Sequence, residues 1–272
     1  MPTITALNVY PIKSCRGIAL TEALITPTGL AHDRHWLVTD ETGAFLTQRV
    51  LPRMALVQVE LGAHALRLAA PGMGPLSLPL DAPGERRPVT IWRDSCTGID
   101  QGDIAAGWLS DFLQRRVRLV RFDFSRPRLS DPHWAGDSGA TTAFADGYAV
   151  LVASDASLAD LNARLPGPLP MNRFRPNIVI DGIEAFDEDH IAALRVGGAA
   201  LRLVKPCTRC VVTTTDQSTA ERAPDNEPLA TLAGYRRKEE VDGVCFAMNA
   251  IVARADERPV RVGDEVEIEW SF

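Results

Sequence analysis

No apolar run in this 272-residue chain is long enough to cross a bilayer. The opening MPTITALNVYPIKS also lacks the basic region and long apolar stretch of a secretion signal. The expectation is a cytoplasmic protein with no membrane partner. Aromatic residues make up only 6% of the chain and the net charge is −6. Few rings could stack on bases and the overall field has the wrong sign for a polyanion, so a generic nucleic-acid partner is excluded. Five cysteines, an odd and low count, make no disulfide framework and read as reduced thiols. Hydrolase, P-loop and zincin signatures (G-x-S-x-G, G-x-x-x-x-G-K-[ST], H-E-x-x-H) are all missing. There is no internal repeat and no low-complexity tract.

What is present is a chain that is 46% hydrophobic and can bury a sizeable core. Thr3 to Tyr10 alternates imperfectly and reads as a strand ended by Pro11. Short β-rich runs follow at Ala19–Ile25, Trp36–Thr39, Met54–Leu61, Ala65–Ala69, Leu76–Leu80 and Val89–Trp92, mostly separated by Gly, Pro or Asp. A helix is predicted from near Asp100, with Ile104, Trp108, Leu109, Phe112 and Leu113 on its apolar face. Val117–Phe122 reads as a strand and residues 123–143 as a long polar loop and domain seam. Beyond it come a strand at Ala149–Ala153, a helix capped by Ser154 and a strand at Ile178–Ile180. A two-residue hairpin turns at Gly197-Gly198, and a helix opens at Pro228. Phe246–Met248 and Val260–Ile268 read as closing strands, with a barrel-closing turn at Val262–Val266. This pattern predicts a mainly β (α+β) protein with peripheral helices. Short strands at near-regular spacing suggest a small barrel or sandwich, with the seam at 123–143.

Three clusters carry candidate chemistry. Cys207-Thr208-Arg209-Cys210 precedes a β-branched run, Val211–Thr215, which predicts an extended strand after the cysteines. The pair could be structural zinc ligands, a redox couple, one soft-metal ligand with a supporting partner, or two buried structural thiols. Zinc would need further ligands, and the five histidines contain no H-x₃₋₅-H pair. Lys13-Ser14 and Arg34 could hold a phosphate or form a solvated turn, with Arg34 pairing to Asp33 or Glu41. Arg173, Arg175 and Asn177 flank Pro176, and an arginine fork there could grip a phosphate or pair with carboxylates in 181–189. That acidic segment reads as a solvated loop. Asp94, Asp100, Asp103, His133 and His190 read as ordinary capping or surface groups.

Taken together, YPIKSCRG (10–17), DRHWLV (33–38), SDASLADLN (154–162), RFRPNIVIDG (173–182), KPCTRCVVTTTD (205–216) and VGDEVEI (262–268) resemble the MOSC-domain molybdenum enzymes, a group that includes the mitochondrial amidoxime-reducing component and its bacterial counterparts. The resemblance implies an N-terminal β-barrel domain, 1–122, followed by a MOSC β-barrel domain, 123–272, and a molybdenum–molybdopterin cofactor without a nucleotide extension, its metal bound by Cys210. It implies that Lys13, Ser14, Arg34 and Arg175 hold the pterin phosphate and ring, with Asn177, Thr208 and Arg209 close by. The segment Asp146-Gly147-Tyr148 falls where the family also lines the cofactor. Arg209 is then expected beside the Cys210 thiolate.

The implied activity is reduction of small N-oxygenated substrates such as N-hydroxylamines and amidoximes. Electrons would come from a separate ferredoxin, flavodoxin or cytochrome b5-type protein with its reductase. A monomer is the default expectation. Two alternatives from the same resemblance are a sulfur carrier, with persulfide on Cys210, and a non-catalytic cofactor-binding module. Pyridoxal phosphate binding is a further family description. Some bacterial relatives carry an appended iron–sulfur domain and the mitochondrial ones a membrane-anchoring segment; neither is expected here, the first because its four further cysteines are missing. The chain also has Ile183-Glu184 where the mitochondrial members have Cys-Asp, so Glu184 is left in question as a proton donor.

Overall fold

A computed structural model describes residues 1–271. The largest sheet has nine strands. It runs from Ile18–Leu20 through Thr3–Val9, Ile178–Asp181, Val150–Ser154 and Gly243–Arg254. Ala199–Thr208, Ile191–Val196 and Glu267–Trp270 complete the row, and Arg237–Lys238 pairs off the side of Gly243–Arg254. The first two strands of the chain therefore sit among strands of its second half.

Imperfect alternation in the first strand has a physical cause. Its register against Ile178–Asp181 shifts between Ile4 and Ala6. That bulge changes which parity faces inward, so Ile4, Leu7 and Val9 all enter the same core. The far end of the sheet returns to this strand through the turn expected at Val262–Val266. Gly263 N donates to Ile4 O at 2.8 Å, Ile4 N to Asp264 O at 2.9 Å and Val266 N to Pro2 O at 2.9 Å. Gly263 adopts φ +94°, which a side chain would resist. That turn splits the expected strand Val260–Ile268 into Val260–Arg261 and Glu267–Trp270.

The N-terminal half builds a second core. A four-stranded sheet (Arg86–Ile91, Asp94–Asp100, Arg118–Phe122, Trp36–Thr39) and a three-stranded meander (Gln58–Leu61, Ala65–Ala69, Leu76–Pro79) share it with the helix Gly102–Leu113. Ala105, Leu109, Phe112 and Leu113 are the buried stripe of that helix. Ile104 was expected there but is 76% exposed, because the stripe follows i, i+4, i+7, i+8 from Ala105. Asp100 does not cap by the expected geometry. Gln101 is the N-cap residue, while Asp100 accepts from Gly102 N at 2.7 Å and pairs with Arg118.

Two segments are more structured than expected. Residues 123–143 hold a small hairpin, Arg128–Leu129 with Thr141–Thr142, and a short helix Pro132–Ala135 capped by Asp131. The acidic segment is not wholly solvated. Glu188 is fully buried against Ser154 and Ser157, and Asp189 pairs with Arg236 and Lys238.

Candidate functional site

A cavity of about 140 Å³ lies where three distant parts of the chain meet. Lys13, Ser14 and Arg34 line it from the N-terminal turns. Gly147, Tyr148, Arg175 and Asn177 line it from the middle of the chain, and Thr208, Arg209 and Cys210 from the cysteine loop. All the residues marked in the sequence for cofactor contact thus share one cavity. Three of them, Ser14 (φ 67°), Arg34 (φ 49°) and Arg175 (φ 58°), hold left-handed backbone. Each such residue costs about 1–3 kcal/mol, and such strain concentrates at functional sites.

Backbone bonds tie the Lys13 and Arg34 turns to their neighbours. Arg34 N donates to Tyr10 O at 3.0 Å, Lys13 N to Trp36 O at 2.9 Å and Phe144 N to Arg34 O at 3.0 Å. The Asp33 carboxylate accepts from Tyr10 N at 2.8 Å and pairs with Arg34 at 2.5 Å, while Glu41 takes no part in this pair. Asn177 joins the turns together. Its Oδ1 accepts from Arg34 Nη1 and Leu151 N, each at 3.0 Å, and its Nδ2 donates to Asn8 O at 3.1 Å.

The cavity is strongly cationic. Lys13, Arg34, Arg49, Arg175 and Arg209 line it against one lining carboxylate, Asp146. Lys13 Nζ pairs with Asp146 at 2.6 Å and donates to Phe144 O at 2.9 Å. Burial pushes the Lys13 ammonium below the usual lysine range, and Asp146 opposes that fall. Arg34 and Arg175 both lie on the Tyr10 ring, at 4.4 and 4.2 Å from its centroid. Burial raises the Tyr10 hydroxyl to about 12 and lowers the Arg175 guanidinium to about 10, which leaves both in their usual forms at neutral pH. Arg175 is only 8% exposed and has a single side-chain bond, 3.3 Å to Gln217. Among the described residues, its buried Nη2 and the buried Nε of Arg209 have no partner. Donors left so are what an anionic guest would satisfy.

The cysteine loop differs from expectation. The strand Ala199–Thr208 ends at Thr208, and Val211–Thr214 coils into a 3-10 turn instead of a strand. Threonine hydroxyls bond the local backbone: Thr213 Oγ1 donates to Cys210 O at 3.0 Å and Thr214 Oγ1 to Val211 O at 2.8 Å. Such bonds override β-propensity. Arg173 fastens this loop by donating to Thr214 O at 2.8 Å and to Asp216 at 2.9 Å, so its partner is not in 181–189. Arg209 was expected on Cys210, but its sulfur contact is Cys207 Sγ at 2.8 Å, while its Nη2 donates to Phe174 O. Cys210 is a free, half-buried thiol on the cavity wall.

Among the described residues no group of three or more His, Cys, Asp or Glu is placed to hold a metal ion. A metal at Cys210 would therefore take most of its ligands from a cofactor. The cations and unpartnered donors of the cavity suit an anionic group such as a phosphate. Pyridoxal phosphate finds no support in this arrangement, because the cavity's lysine is engaged with Asp146. Glu184 does not reach the cavity. It borders a separate surface depression with Met1, Arg195 and Trp270. Sequence reasoning missed Tyr10, Arg49, Trp92 and Gln217, which reach the site only through long-range packing. Tyr10 alone left a trace, as the first residue of the motif YPIKSCRG.

Two β units sharing strands around a cationic cavity with a free thiol define a protein built to hold an anionic group. A MOSC N-terminal beta barrel domain matches residues 1–116 and a MOSC domain matches residues 139–267. Mitochondrial amidoxime reducing component 2 of Rattus norvegicus is 37% identical over 245 residues, spanning 86% of this chain and 72% of the relative. Mitochondrial amidoxime-reducing component 1 of Homo sapiens is 34% identical over 279 residues, spanning 97% and 82%. The YUAD protein of Bacillus subtilis, a crystal structure, is similar with a TM-score of 0.43 and 11% identity, spanning 98% of this chain and 96% of that one. The chain belongs to the MOSC-domain family of the mitochondrial amidoxime-reducing components.

Proposed function

We propose that this protein is a molybdenum-cofactor-dependent oxidoreductase that reduces N-oxygenated compounds, such as N-hydroxylamines and amidoximes. The observation that carries this reading is the convergence of Lys13, Arg34, Arg175 and Arg209 with the free Cys210 thiol on one cavity. The relatives' names, as amidoxime-reducing components, supply the substrate class. When bound, the cofactor supplies two-electron reduction, with the N–O oxygen leaving as water.

This chain's residues do the holding. Arg175 and Arg209 offer their unpartnered donors to the phosphorylated end, and Arg34 is fixed for the same work by Asp33 and Asn177. Lys13 is positioned beside them by its pair with Asp146. Ser14 and Thr208 add hydroxyls, and Gly147 leaves room beside Tyr148. The Cys210 thiolate is a suitable soft ligand for the metal. We further propose a cytoplasmic monomer, in domains 1–122 and 123–272, that takes electrons from a separate ferredoxin, flavodoxin or cytochrome b5-type protein.

The test is molybdenum content and anaerobic benzamidoxime reduction by protein made in a cofactor-competent host. One molybdenum per chain with turnover is expected. Absence of metal, with a one-sulfur adduct on Cys210 by native mass spectrometry, would favour a sulfur carrier instead. Metal without turnover under any reductant would leave a cofactor-binding module.

A further inference from the structure

A second cleft, of about 470 Å³, adjoins the cationic cavity and shares Trp92, Asp146, Gly147 and Tyr148 with it. Its own walls add Leu129, Ser130, Asp131 and Lys205. Its volume falls within the range of small-molecule sites. Two observations point to a ligand. Ser130 is only 4% exposed, yet its hydroxyl has no partner among the described residues, and the buried Tyr148 hydroxyl is also unpartnered. Buried hydroxyls without partners are uncommon in settled structure. Above them, Trp92 (42% exposed) and Leu129 (64%) present apolar surface to solvent.

Trp92 is placed at some cost. It fills the first position of the two-residue turn between Ile91 and Asp94, with φ 55°, where glycine or asparagine is favoured. Its indole N–H donates to Asp146 at 3.0 Å, and the Arg49 guanidinium lies 4.4 Å from its ring. The ring is thus held upright at the partition between the two spaces. Lys205 Nζ, 5.8 Å from the Tyr148 ring centroid, closes the opposite side.

We infer that this cleft is the substrate site: it takes a planar N-oxygenated amidine or hydroxylamine head whose donors and acceptors bond Ser130 Oγ and Tyr148 OH, with its aromatic or apolar substituent lying on Trp92 and Leu129. This rests on the reductase reading for the chemistry of the head group. The geometry of the cleft stands apart from it.

The test is calorimetric titration of the molybdenum-loaded protein with benzamidoxime, comparing wild type with Ser130→Ala, Leu129→Asp and Trp92→Ala, with metal content measured for each. The expected result is a Kd at least fivefold weaker in Ser130→Ala and Leu129→Asp at unchanged molybdenum content. Trp92→Ala should weaken binding further. A Kd within twofold of wild type in both Ser130→Ala and Leu129→Asp overturns the inference, as does no binding to the wild type. Binding that is lost in the variants while the wild type shows no reduction supports the cleft and removes the reductase reading. Reduction with an unchanged Kd and KM in the variants does the reverse.

Discussion

The Arg209 guanidinium meets the sulfur of Cys207 at 2.8 Å. The two cysteines of the pair are therefore in different settings. Cys207 is tied to a cation that also bonds Phe174 O, whereas Cys210 lies at the N-terminal end of a 3-10 turn with its carbonyl bonded by Thr213. Substituting each alone separates their roles. Cys210→Ser is expected to drop molybdenum below a tenth of wild type, and Cys207→Ser to retain at least half. Metal analysis of the purified proteins decides, and equal losses in both variants would contradict the assignment.

Among the described residues, Arg175 is a buried cation without a carboxylate partner. Holding it there without an anion costs stability, since an unsatisfied buried group costs about 1–3 kcal/mol and a charged one more. Arg175→Met should therefore raise the Tm of cofactor-free protein by about 2–4 °C, despite losing the Tyr10 ring contact and the 3.3 Å bond to Gln217. The same variant should fail to retain molybdenum. Calorimetry on both forms checks this, and a lowered Tm in the cofactor-free form would make Arg175 a structural residue.

His35 predicts a pH dependence. Burial, with His32 and Arg121 nearby, lowers its imidazole to about 3, and its Nε2 has no partner among the described residues. The folded state keeps His35 neutral where the unfolded chain binds a proton. Its contribution is therefore fully present above about pH 6.5 and is lost as pH falls toward 3. The slope is at most about 1.4 kcal/mol per pH unit. Urea unfolding at pH 6.5, 5.5 and 4.5 should fall more steeply for wild type than for His35→Phe. Parallel slopes would show that His35 does not titrate this way.

Local chemistry and long-range assembly were not equally legible. The Gly197-Gly198 hairpin and the Ser154 cap, whose hydroxyl accepts from Ser157 N at 3.1 Å, follow from signals a few residues long. The opening strand was visible, but its bulge was not, because the bulge is set by register against residues 178–181. The turn at Val211–Thr214 ran against β-propensity because threonine hydroxyls satisfied the backbone locally. Residues of the cavity could be named from motifs carried by resemblance. Spacing alone could not have brought Lys13, Arg175 and Cys210 together. Tyr10, which takes two guanidiniums on one ring, looked like the last residue of a strand.

Asn177 tests whether the cavity is held by its supports or only by its cations. The side chain is 1% exposed and its three bonds join segments distant in sequence: Arg34 and Leu151 on Oδ1, Asn8 O on Nδ2. Asn177→Ala leaves the Leu151 N–H and the Asn8 carbonyl without these partners and frees one end of the Arg34 fork. Two such buried losses should lower unfolding stability by about 3 kcal/mol. Because Arg34 still pairs with Asp33, its charge stays in place while its aim is lost. Molybdenum retention should then fall several-fold, even where the variant is shown by circular dichroism to be folded. A stability loss under about 1 kcal/mol with full metal content would mean that Asp33 alone positions Arg34.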